Sequence, residues 1–552
     1  MAAPLRFRDF SFTYRRAASP ALRNVDFELS AGAFVGLTGR TGAGKTTLAR
    51  AAIGLVPYSL SGDVSGGVEC FGELLARDNR HTAAQQVGLV FQDFEAQLFS
   101  TSVRGEVAFG LESRGVPPSA MPARIDTALQ AVGLLQLADR DPGSLSGGEK
   151  QRLAIACVLA VEPDILVLDE PTTDLDPQGK QEIVALLRDL ADEGRTVLLI
   201  EHEARLLELA DRVVGLHEGV LDHDAPFAQW RRDAGLCLAH GIQPPDLTVL
   251  AEAMGWDDVP ADVDAALAAL RGFDAIPPEP ARHAGEALFS FEDVSFEYEP
   301  GRPVVRHVDL EIRRGEAIAV LGANGAGKTT LVGLLNGLRR PTGGHVLFDG
   351  RDTTQMSIGE LGAHVGFVFQ NPDHQIFAPT VFEEVAFGLK TRGLAPADIA
   401  ERVGNILESV GLSGHESCDP FVMTKGERQK LALAGVLVLE PEVIIMDEPT
   451  TGLDAVEQAA MNELLRRLNE RGHTVVVITH TMQSALEVAR RAIIVDEGGI
   501  LADGPVHDLF ADRDMLRRAR LSLPPATELS LRLGWGALSA ASLARRLREA
   551  KP

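Results

Sequence analysis

Gly39-Arg40-Thr41-Gly42-Ala43-Gly44-Lys45-Thr46, with Thr47 next, lies between an apolar run at 34–37 and a helix-like segment at 48–55. It fits G-x-x-x-x-G-K-[ST], a glycine-rich turn that ends a strand and opens a helix. Glycine lets the backbone curl so that successive N–H groups point at one anion. The helix N-terminus adds the positive end of its dipole. Lys45 then reaches the β- and γ-phosphates of a nucleotide, and Thr46 offers its hydroxyl to Mg2+. A surface turn carrying a lysine could satisfy the pattern once. It occurs twice: Gly322-Ala323-Asn324-Gly325-Ala326-Gly327-Lys328-Thr329, with Thr330 next, lies between an apolar run at 317–321 and a helix-like segment at 331–338. Lys328 and Thr329 take the same roles.

Outward from these loops the chain repeats itself. Val90-Phe91-Gln92 returns as Val368-Phe369-Gln370, Leu168-Asp169-Glu170-Pro171-Thr172-Thr173 as Met446-Asp447-Glu448-Pro449-Thr450-Thr451, and His202 as His480, all 278 residues on. The phosphate loops are 283 apart, so the first copy has a short insertion near 58–67. A period this long means duplicated domains, not a solenoid. Residues 245–256 resemble 524–535, which predicts a small helical appendage after each copy. The stretch 274–285, with Pro277, Pro278 and Pro280, reads as an exposed connector. The expected order is a first nucleotide-binding domain at 4–235, appendage and connector at 236–285, a second domain at 286–511 and a C-terminal appendage at 512–552.

Ile165-Leu166-Val167-Leu168-Asp169-Glu170 and Val443-Ile444-Ile445-Met446-Asp447-Glu448 read as buried parallel strands ending in two carboxylates. Neighbouring carboxylates there repel unless a cation intervenes. Asp169 and Asp447 are therefore expected on the metal side, with Glu170 and Glu448 as general bases for an attacking water. His202 and His480 end two further apolar strands. One such histidine is usually structural, but its recurrence at the common offset points to a γ-phosphate contact.

Composition narrows the classes. The 552 residues are 45% apolar, enough for large cores, and the net charge of −25 argues against broad nucleic-acid binding. The four cysteines, Cys70, Cys157, Cys237 and Cys418, form no C-x-x-C pair, so neither zinc nor an iron–sulfur cluster is expected. Residues 1–8 lack the apolar stretch of a secretory signal, and runs such as 431–439 are too short to span a bilayer. Work at a membrane would be as a peripheral subunit.

Leu145-Ser146-Gly147-Gly148-Glu149-Lys150-Gln151-Arg152 resembles the signature of ATP-binding-cassette (ABC) proteins. With the phosphate loop, Gln92, Asp169-Glu170, Thr173-Asp174-Leu175-Asp176 and His202, that family's motifs stand in order. The second copy matches with Gln370, Asp447-Glu448, Thr451-Gly452-Leu453-Asp454 and His480. The resemblance implies an α/β fold: two P-loop NTPase domains of ABC type, each with a mainly parallel core sheet, an antiparallel β subdomain and a helical signature subdomain. It implies ATP and Mg2+, with Gln92 and Gln370 near both, and Tyr14 and Tyr298 stacking on adenine. It also implies that the two domains pair head to tail within the chain. Ser146, Gly147 and Gly148 would then close on the nucleotide held by Lys328, and Thr424, Lys425 and Gly426 on that held by Lys45. Lys425 is a departure, standing where the first copy has Gly147; it could crowd the phosphate or help it by charge.

Phe369-Gln370-Asn371-Pro372-Asp373-His374-Gln375 resembles the ATPases of energy-coupling-factor importers and their cobalt and nickel relatives. The first copy keeps Phe91-Gln92 and Gln97 but reads Asp93-Phe94-Glu95-Ala96 between them. That resemblance implies a transmembrane coupling subunit, a substrate-binding membrane subunit, uptake of a vitamin or transition-metal ion, and a place on the cytoplasmic face of the membrane. Phe94, Leu98, Phe99, Ile376 and Phe377, beside the two glutamines, are expected to form the docking groove. The rival readings are a tandem sugar-importer ATPase, against which the Gln-Asn-Pro-Asp-His-Gln stretch argues, and a ribosome-associated translation factor with two cassettes. The latter class has a long charged linker, which the short Pro/Ala-rich connector is not. A DNA-repair cassette protein would carry zinc-binding cysteine clusters.

Overall fold

The computed structural model describes residues 3–550 except 16, 18, 174, 176, 271–272 and 274–284. The connector expected at 274–285 (apart from Gly285), and Asp174 and Asp176, lie outside the described residues.

Each phosphate-loop strand sits inside a six-stranded sheet. In the first copy the order is Val220–Ala225, Arg212–His217, Phe34–Thr38, Thr196–Ile200, Ile165–Asp169 and Val87–Val90. All neighbours are parallel except the first pair. The second copy repeats the sheet with Gly499–Pro505, Arg491–Asp496, Ala317–Leu321, Thr474–Ile478, Val443–Asp447 and Val365–Val368. Period-two alternation explains why the central strands are apolar throughout. Leu166 and Leu168 enter one buried cluster and Ile165 and Val167 another, on opposite faces of the sheet.

One face carries a four-stranded antiparallel sheet: Leu22–Leu29, Leu5–Tyr14, Gly62–Cys70 and Glu73–Leu74 in the first copy, Arg302–Arg313, Ala287–Glu299, Gly343–Phe348 and Arg351–Asp352 in the second. The helical layer is Val103–Ser113, Met121–Ala131 and Gly147–Ala160, repeated as Val381–Thr391, Pro396–Val410 and Lys425–Leu437. Its core is contiguous with the Leu166–Leu168 side of the first sheet.

The chain separates into two compact units, Met1–Thr248 and Val249–Pro552. The boundary falls inside the segment 236–285. Its helix Val263–Ala269 belongs to the second unit and packs on Pro525–Arg532, where Arg532 donates to Asp264 at 2.6 Å. The helix Ala540–Glu549 completes that end of the unit. No helix among the described residues is long and apolar enough to cross a membrane.

Candidate functional site

The phosphate loops have the backbone that their glycines permit. Gly44 has φ 109° and Gly327 φ 97°, each just before its helix, Lys45–Ala52 or Lys328–Val332. A Cβ on Gly44 would lie 2.4 Å from Ala21 O, and one on Gly39 2.3 Å from Leu216 O, so both conformation and space demand glycine. Each lysine folds back over its loop. Lys45 Nζ donates to Gly39 O at 2.6 Å and Arg40 O at 3.2 Å; Lys328 Nζ donates to Gly322 O at 2.9 Å and Ala323 O at 3.0 Å. Both are buried, so each cation is fixed inside the loop that would take an anion.

The strand-end carboxylates meet these loops. Thr329 Oγ1 donates to Asp447 Oδ2 at 2.8 Å. Asp169 is 1% exposed, and its carboxylate faces the hydroxyl of Thr46. Burial, then the neighbouring Glu170, pushes the Asp169 carboxyl up to about 7; burial pushes Asp447 up to about 6. A buried carboxylate beside a threonine hydroxyl is chemistry that suits a hard divalent cation.

Glu170 and Glu448 share a rare backbone state, φ 49° and 47°. A left-handed residue that is not glycine costs ~1–2 kcal/mol. It is held because Glu170 N donates to Ile200 O and Glu448 N to Ile478 O, both at 2.9 Å. The turn brings each carboxylate into its site. Glu170 Oε1 lies 3.9 Å from Lys45 Nζ and 3.8 Å from His202 Nδ1, and Gln92 Nε2 donates to its Oε2 at 2.6 Å. Glu448 Oε2 is 2.9 Å from His480 Nδ1. Tyr14 and Tyr298 reach the helix after each loop, with hydroxyls 3.1 Å from Thr47 Oγ1 and 3.2 Å from Thr330 Oγ1.

The signature residues stand in the helical layer. Ser146 and Thr424 cap the helices Gly147–Ala160 and Lys425–Leu437, each in a capping box with Glu149 or Glu427. Their N-termini are ready for an anion. Lys425 is the first residue of its helix, and a Cβ on its counterpart Gly147 would meet nothing within 4 Å. The second signature differs in another way that sequence reading missed. Glu457 lies against it, with Oε1 2.5 Å from where a Gly426 Cβ would be and 3.5 Å from Thr424 Oγ1; the first copy has Gly179 there.

The docking expectation is corrected in part. Phe94 and Ile376 are core residues, 6% and 4% exposed, packed under the helical layer, and Leu98 is half-buried there. Phe99 and Phe377 are 63% and 61% exposed. Each pairs edge-on with a second exposed ring that the sequence did not reveal: Phe99 with Phe109 at 4.6 Å and Phe377 with Phe387 at 4.9 Å. A buried glutamate fixes each loop. Glu106 accepts from the N–H of Phe99 and Ser100, and Glu384 from those of Phe377 and Ala378.

The family model described as ABC transporter matches residues 22–173 and 305–451. The chain belongs to the ABC transporter family. A provisionally named ABC transporter ATP-binding protein of Caldanaerobacter subterraneus subsp. tengcongensis is 40% identical over 544 residues, 96% of each chain. One from Methanosarcina acetivorans is 39% identical over 555 residues, 96% of this chain and 90% of that protein. A solved structure of cbiO1 from Clostridium perfringens, part of the transporter complex cbiONQ, is 32% identical, covers 43% of this chain and 96% of its own, and has a TM-score of 0.40. This ABC transporter ATPase thus carries its ATP-binding region twice in one chain.

Proposed function

We propose that this ATPase works on the cytoplasmic face of a membrane. There it powers uptake of a vitamin or transition-metal ion through a separate coupling subunit and a substrate-binding membrane subunit. The observation that carries the membrane coupling is the repeated pair of exposed rings, Phe99 with Phe109 and Phe377 with Phe387, beside each site glutamine. Exposed apolar rings rimmed by polar residues mark interaction surfaces. The micronutrient class rests on the stretch Phe369 to Gln375, which resembles energy-coupling-factor ATPases.

In this reading each phosphate loop cradles ATP, residues Gly39, Arg40, Thr41, Gly42, Ala43, Gly44, Lys45, Thr46 and Thr47 in one copy and Gly322, Ala323, Asn324, Gly325, Ala326, Gly327, Lys328, Thr329 and Thr330 in the other. Tyr14 and Tyr298 stack on the base. Mg2+ would be held by Thr46, Asp169 and Gln92, or by Thr329, Asp447 and Gln370, and would neutralise charge between the β- and γ-phosphates. Glu170 and Glu448 take a proton from the attacking water, while His202 and His480 orient the γ-phosphate. The two domains pair head to tail within the chain, so that each signature completes the other's site. Alternating closure and opening moves the membrane subunits.

The test is co-purification with candidate hydrophobic membrane subunits co-expressed with this chain, and substrate uptake into proteoliposomes. Phe99→Glu with Phe377→Glu should abolish both while soluble ATPase activity stays within about twofold of the parent, because these rings lie outside the carboxylate cluster. Unchanged co-purification would refute the docking surface.

A further inference from the structure

The two copies differ at one position just after the phosphate loop. The first copy has Arg50 in its helix Lys45–Ala52. At the 283-residue offset of the loops, the second has Gly333 there. The gap is filled from elsewhere. Arg339 turns back so that its Nη1 lies 2.8 Å from where a Gly333 Cβ would be, and donates to Thr329 O at 3.2 Å. The first copy's counterpart of Arg339 is Val56, buried at 1% exposure, which could supply no charge. Arg339 also does something more. Its guanidinium carbon stands 5.2 Å from the centroid of the Tyr298 ring, which is 58% exposed.

We infer that Arg339 is a nucleotide-site residue of the second copy, replacing Arg50 from a different position in the sequence and bracing Tyr298 for the base. The guanidinium touches the phosphate-loop backbone at Thr329 and the ring of Tyr298, whose hydroxyl is tied to Thr330. One planar cation thus links the ends of the site that take the phosphates and the base. A cation over an aromatic ring holds it by the ring's quadrupole. Gly333 ends the helix Lys328–Val332, and the guanidinium occupies space that a side chain at 333 would contest.

The inference rests on Tyr298 being the base platform, and the experiment separates the two. Nucleotide affinity is measured calorimetrically with ATP on the full chain carrying Lys45→Ala, which disables the first loop. Arg339→Ala should weaken ATP binding by about fivefold or more. Arg339→Lys, which keeps a cation beside Tyr298 and leaves Gly333 in place, should hold affinity within about twofold of the parent, which a packing role for the planar guanidinium would not allow. Tyr298→Ala reports on the platform. If it leaves ATP affinity unchanged, the platform reading fails. If it weakens binding and Arg339→Ala does not, or if Arg339→Lys loses as much affinity as Arg339→Ala, the inference about Arg339 is overturned.

Discussion

His480 Nδ1 stands 2.9 Å from Glu448 Oε2, whereas its counterpart His202 Nδ1 is 3.8 Å from Glu170 Oε1. In the first copy the glutamate is instead held by Gln92, at 2.6 Å. The first histidine also has a rival partner. Glu201, fully buried, lies 4.0 Å from His202 Nδ1, and its Oε1 accepts from Thr172 at 2.5 Å. The second copy has Thr479 in that place, bonded to Thr481. The histidine thus stands within hydrogen-bond reach of the proposed base in the second copy and outside it in the first.

From this the histidines should matter unequally. With the first site silenced by Glu170→Gln, His480→Ala should lower the remaining turnover by about tenfold, or ~1.4 kcal/mol of barrier. His202→Ala in the Glu448→Gln background should cost less, because His202 is not within hydrogen-bond reach of its glutamate. Steady-state ATPase assays of the two double variants compare them, and equal losses would contradict the difference.

A second expectation concerns pH. The Asp169 carboxyl is raised to about 7 by burial and by Glu170. Between its ordinary value near 4 and about 7, the folded chain therefore binds more protons than the unfolded chain, and stability falls as pH rises through that window. Asp169→Asn removes the buried charge, so in the absence of nucleotide it should raise the melting temperature at pH 8 and change it little at pH 4.5. The same variant should lose most of the extra stabilisation that Mg2+ gives to ATP. Thermal unfolding at the two pH values reads both; a variant less stable than the parent at pH 8 would contradict the assignment.

Much of this site is local in sequence and so was legible there. Phosphate loop, strand-end carboxylates and strand-end histidines each occupy a few adjacent residues with a fixed physical demand. The duplication made each motif its own control. What escaped is set by packing. Phe94 and Phe99 are both apolar residues in an irregular loop, and no periodicity tells that one is 6% and the other 63% exposed. Phe109 and Phe387 lie on helices whose apolar faces are mostly core. Arg339 replaces Arg50 only in space, across a turn, and Glu457 meets the second signature only through tertiary folding. The left-handed φ of Glu170 and Glu448 is likewise invisible to a pattern read from side chains.

The second signature gives a third prediction. A Cβ on Gly147 would meet nothing within 4 Å, so the first signature has room for a side chain at the position that Lys425 holds in the second. In the proposed pairing Lys425 would act on the nucleotide held by Lys45. In the Glu448→Gln background, which leaves the site of Lys45 and Glu170 active, Lys425→Gly should raise turnover by about threefold, less than ~1 kcal/mol of barrier. No change would show that the lysine's charge offsets its bulk.

The central claim is that Glu170 and Glu448 carry the hydrolysis at two loops that bind ATP independently of them. The direct measurement is ATP affinity and steady-state ATPase rate of the chain carrying Glu170→Gln and Glu448→Gln together. Affinity within about threefold of the parent is expected, with turnover reduced about 100-fold or more, some 2.7 kcal/mol of barrier. Turnover near that of the parent, with ATP still bound, would contradict it.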